Sequence, residues 1–143
     1  MTFRNDLLGT DFVEVPTPTS WSTAATADEW PAWTCPASKR YKVTAVKLVP
    51  ATAITASATD TVTVSVQNKG AAGTGTTEVA SFAFDTATTD DVAAFDEKAL
   101  TLSGTAASLV VTAGQILSIK KAIAAAGQIV EGKIRIEFEP VGA

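Results

Sequence analysis

From residue 39 onward, apolar and polar side chains alternate in short runs. Val62, Val64 and Val66 are interleaved with Thr61, Thr63, Ser65 and Gln67. A period of two places the valines on one face of a strand and the polar residues on the other. Ile134, Ile136 and Phe138 alternate with Lys133, Arg135, Glu137 and Glu139 in the same way. Shorter runs put Ala80, Phe82 and Phe84 on one face, then Leu100 with Leu102, Leu109 with Val111, and Leu117 with Ile119. The β-rich run Tyr41–Val49 changes phase near Ala45-Val46, which predicts a β-bulge there. Gly70, Gly73 and Gly75 mark a hairpin loop, and Gly104, Gly114 and Gly127 mark further breaks. Helical potential is confined to short pieces such as Ala122–Ala126 and a single turn within Asp90–Lys98. The pattern predicts an all-β chain, an antiparallel β-sandwich of seven to nine strands over residues 39–141. The apolar members of these runs, Val62 through Phe138, are its predicted core.

Residues 1–38 read differently. They carry Pro16, Pro18, Pro31 and Pro36 and all three tryptophans, and neither strand nor helix periodicity is sustained. Proline removes backbone donors and favours extended chain. The expectation is an extended N-terminal arm, residues 1–38, leading into a sandwich domain, residues 39–143. Phe3, Leu7, Leu8, Phe12, Val13 and Val15 give the arm apolar area to bury on a neighbour. Trp21, Trp30 and Trp33 have three readings: a cap over the open end of the core, anchors at a protein interface, or a stacking platform for a ligand.

Composition narrows the function. The 143 residues contain no histidine, which removes imidazole general bases, Ser-His-Asp and Cys-His pairs, and histidine-based metal sites. The single Cys35 allows no internal disulfide and reads as a small buried hydrophobe. A net charge of −4 with no basic cluster argues against binding nucleic acid. The N-terminus has no signal-peptide apolar region, and no apolar run is long enough for a membrane helix. Gly70, Gly73 and Gly75 lack the Lys-Ser/Thr of a phosphate-binding loop. Asp85, Asp90, Asp91 and Asp96 offer oxygen ligands but not in the order of a calcium loop, and read as a solvated acidic connection. No catalytic group, cofactor or metal is expected, and the chain is read as a non-enzyme.

From Arg40 to Glu139 the chain resembles a family. The residues that carry the likeness are Tyr41–Val46, Pro50-Ala51 with Ile54-Thr55, Val62–Gly70, Gly73–Thr77 leading into Val79–Phe82, Phe95–Ser103 and Leu109–Leu117. Their order is similar to small virion proteins of tailed bacteriophages, the capsid decoration or cement proteins with a jelly-roll-like β-sandwich. The resemblance implies a structural protein, made in the host cytoplasm, that sits on the capsid exterior. It would bind the major capsid protein and reinforce contacts between its subunits, commonly as a homotrimer. The alternative from another class is a carbohydrate- or receptor-binding module of a phage tail or fibre. A subunit of the head–tail connector is a third reading within the virion.

Overall fold

The computed structural model describes residues 4–5 and 11–142. Their strands, in chain order, are β1 (Arg4–Asn5), β2 (Asp11–Pro16), β3 (Asp28–Thr34), β4 (Arg40–Pro50), β5 (Val62–Asn68) and β6 (Thr77–Phe84). Then follow β7 (Lys98–Ala99), β8 (Thr101–Leu102), β9 (Val110–Thr112), β10 (Ile116–Ile123) and β11 (Gly132–Pro140). Among the described residues there is no α-helix; two single 3₁₀ turns occur at Thr19–Ser22 and Ala106–Leu109.

The strands form two antiparallel sheets. One runs β1-β2-β11-β4, with β7 and β9 both on the far side of β4; the other runs β3-β10-β5-β6-β8. The four main pairings are nested: β2 with β11, β3 with β10, β4 with β9, and β5 with β6. This is one long antiparallel ribbon folded over into a sandwich, the winding of a jelly roll.

The alternating runs point inward as their period requires. Val62, Val64 and Val66 are fully buried, as are Leu117, Ile119, Ile134, Ile136 and Phe138. Each such side chain contributes roughly 1.5–3 kcal/mol by leaving water. Phe82 and Leu102 are half-buried against this core rather than inside it. The phase change in β4 is a bulge: Glu137 faces Ala45 and Phe138 faces Val43, so Thr44 is the extra residue. Residues 85–97 form turns, not a helical turn.

The separation into an arm and a sandwich is corrected for residues 11–34. β2 pairs along its length with β11, and β3 with β10, so this stretch supplies one of the eight main strands to each sheet. Val13 is fully buried and Val15 packs against the core. Alternation is present in β2, but in β3 it is broken by a bulge. Leu117 faces Trp33 while Ser118 faces Pro31, so Ala32 is extra. That bulge lets Trp30 and Trp33, three positions apart, share the side that looks toward the other sheet. Pro31 is tolerated because β3 is an edge strand.

The winding gathers four connections, residues 17–27, 51–61, 85–97 and 124–131, at one end of the sandwich. Residues 35–39, 69–76 and 113–115 turn at the other end.

Candidate functional site

The expected interface residues separate into distinct environments. Phe3, Leu7 and Leu8 lie outside the described residues. Phe12 lies half-buried on the outer side of β2, with the Arg135 guanidinium 4.0 Å above its ring. Trp33 is buried between the sheets, its ring centroid 4.5 Å from Phe138 and 5.8 Å from Tyr41. Trp21 is fully buried beneath the four-connection end, and its indole nitrogen has no acceptor. Val13, Trp21 and Trp33 are therefore core, not available anchors: they are the large apolar groups that fill the space between the two sheets. Of the nine, Trp30 is the one among the described residues that is exposed, at 49%.

Trp30 is held in place rather than loose. Its indole N–H donates to Asp28 Oδ2 at 2.7 Å, and the same oxygen accepts from Ser20 Oγ at 2.6 Å. The Glu29 backbone N–H donates to Asp28 Oδ1. The Ser20 hydroxyl first, then Trp30 and the backbone, hold the Asp28 carboxyl below its ordinary value. A groove of about 350 Å³ runs along Trp30 and Pro31 past Glu29, Lys69 and Ser118. Glu29 Oε1 accepts from Ser118 Oγ at 2.6 Å and from Lys69 Nζ at 3.0 Å. Burial pushes the Glu29 carboxyl up, but these two partners together with the Lys120 charge outweigh it and leave it below its usual range. On the other flank, a groove of about 580 Å³ lies between Trp30, Val15, Pro18 and Ile119, along the open side of the sandwich.

Two residues that the alternation pattern did not single out matter more at the four-connection end. Lys121 is fully buried. Its ammonium donates to three backbone carbonyls: Thr23 at 2.8 Å, Trp21 at 3.3 Å and Ala24 at 3.4 Å. Burial lowers its pKa, and the three carbonyls match its three donors. The Trp21 carbonyl also accepts from the Val130 N–H. Lys121 thus pins residues 21–24 to the core. The signal was its phase: it continues the inward positions of Leu117 and Ile119.

Phe95 is the second. Its ring is 78% exposed, and its φ is +68°. A bulky L-residue in that region is an outlier, costing on the order of 1–3 kcal/mol. Thr88, in the same connection, has φ +66°. Yet the connection is tightly tied. Ile54 and Val92 exchange both backbone hydrogen bonds, the Phe95 N–H donates to the Pro50 carbonyl at 2.7 Å, and Asp91 Oδ1 accepts from the Ala56 N–H at 2.8 Å. Asp90 Oδ2 accepts from the Thr86 N–H. Asp90 thus closes its own turn, and Asp91 ties the connection to Ala56 of another. The sequence signal for Phe95 was an isolated aromatic set among carboxylates, outside any alternating run.

The remaining candidates hold no open chemistry. Gly70 and Gly73 adopt positive φ in the β5–β6 hairpin loop. Cys35 is buried, its thiol pushed up by that burial and directed at the Lys39 and Val111 carbonyls. The outer side of the first sheet is occupied by its own ion pairs, Lys47 with Glu97 and Glu137, and Glu14 with Lys133 and Arg135. Among the described residues no cluster of acidic or cysteine side chains could hold a metal ion. Comparison with family models, curated proteins and solved structures found no match.

Proposed function

We propose that this chain is a structural virion protein that attaches to the outer surface of a phage capsid and reinforces contacts between capsid subunits. Its partner is the major capsid protein, and its working form is a homotrimer on the capsid exterior. The resemblance along residues 40–139 supplies the prior. The observation that carries the reading is the jelly-roll end where four connections are stitched to one another and offer a rigid surface with a bare aromatic ring. Rigid presentation lowers the ordering cost of each contact. Repetition over a lattice then turns modest contacts into firm attachment. Heads purified from the parent phage with this gene deleted provide the test. The added chain is expected to co-sediment with them saturably; failure to do so removes the reading.

A second reading, a saccharide-binding module, is favoured by Trp30, a pinned and half-open indole beside Glu29, Lys69 and Ser118. Its check is the Trp30 indole N–H resonance during titration with methyl glycosides of glucose and galactose. A saturable shift supports it and none removes it.

A further inference from the structure

We infer that Phe95 is the anchor of the capsid contact: it enters an apolar pocket on the capsid protein whose rim is basic. The inference rests on the decoration reading and names its site. Three observations converge. Phe95 keeps most of its ring in water while its backbone sits at φ +68°, a conformation that glycine would adopt without strain. A chain that holds a bulky side chain there, against both solvation and backbone preference, gains something from the ring elsewhere. Next, the ring is presented by a braced turn. The Ile54–Val92 bridge, the Phe95 N–H to Pro50 bond and the Asp91 to Ala56 bond set its position before any partner arrives. Preorganised aromatic groups are the usual high-energy anchors of interfaces. Last, the connection that carries the ring is mostly acidic; Lys47 pairs with Glu97 at its edge and Lys133 lines the cleft beside Phe95. Asp85, Asp90, Asp91, Asp96 and Glu97 share the connection with a single Lys98 at its border. Lys98 is turned over the Phe82 ring at 4.0 Å. A complementary partner presents Lys or Arg around the pocket that takes the ring, which sets orientation and speeds encounter.

The test compares wild-type chain with Phe95→Gly, Phe95→Leu and Asp96→Lys on heads lacking the protein. Phe95→Gly relieves the backbone, so its Tm is expected to rise by a few degrees while its affinity falls at least tenfold. Phe95→Leu keeps an apolar tip and recovers part of the loss. Asp96→Lys weakens binding and flattens its dependence on salt. Wild-type and Phe95→Gly chains binding equally would overturn the anchor and leave the decoration reading standing. Wild-type chain that does not sediment overturns both. Sedimentation velocity distinguishes the rival occupant: a trimer that dissociates in Phe95→Gly would put the ring in a contact between copies of this chain and overturn the capsid pocket.

Discussion

Trp21 and Phe95 are large aromatics in two connections at the same end of the sandwich, and they are treated in opposite ways. Trp21 is fully buried, and the carbonyls around it are gathered by Lys121 and the Val130 N–H. Phe95 is braced by its N–H bond to Pro50 and by the Ile54–Val92 pair in its connection, yet its ring stands out in water. Bracing alone therefore does not identify a core residue. What separates the two is where the braces place the side chain, and whether the backbone conformation is one the residue would choose. Trp21 lies in a relaxed 3₁₀ turn with extended flanking residues; Phe95 does not.

The comparison breaks most readily at Trp21. Trp21→Ala empties the largest fully buried side chain and is expected to cost about 3–5 kcal/mol, read as a lower urea midpoint with cooperative unfolding retained. A loss below 1 kcal/mol would mean that the indole is not core. Lys121→Met keeps the length of the side chain but takes the ammonium donor from the Ala24 carbonyl and leaves the Thr23 carbonyl with the Thr26 N–H alone. About 2–3 kcal/mol should be lost, with faster amide exchange confined to residues 21–26. Phe95→Gly, in the opposite direction, should be neutral to stabilising. The smallest effect concerns Trp30. Because the Asp28 carboxyl is held below its ordinary 3.8, its bonds persist above that value and are lost as pH falls through the depressed one. The Trp30 indole N–H resonance should therefore titrate with a midpoint below 3.8, and Ser20→Ala should move that midpoint upward. A midpoint at or above 3.8 in the wild-type chain would show that Asp28 does not pin the ring.

Much of the sandwich was legible because β5 and β11 keep a period of two and β10 keeps it across Leu117 and Ile119, and even the bulge in β4 left its mark as a phase change. β2 and β3 were not. Val13 and Val15 alternate correctly, but Pro16 and Pro18 follow at once. In β3 the extra Ala32 erases the period, so Trp30 and Trp33 look unrelated although both belong to the inward side. Prolines read as the mark of an arm are here the mark of a strand end and of a sheet edge. The candidate site was harder still. Periodicity reports which way a strand residue points, and Phe95 is in a turn, where orientation depends on hydrogen bonds to Pro50, Ala56 and Thr86 made by distant or unpatterned residues. Lys121 had the phase of a core residue and the charge of a surface one, and only the carbonyls of residues 21–24 reconcile the two.

The nested pairing has a kinetic side. β11 lies between β2 and β4, and Thr17 bonds to Gly132 across 115 positions of chain. On a ribosome, β2 and β4 emerge early and then wait for a strand that has not been made. Until β11 arrives they expose open edges and a half-built core, the state from which chains pair with the wrong neighbour. Such long-range closure makes for slow folding, with rates in the range of milliseconds to seconds for comparable β-topologies. The same architecture that gives the finished sandwich its stitched end makes the nascent chain dependent on its last strand.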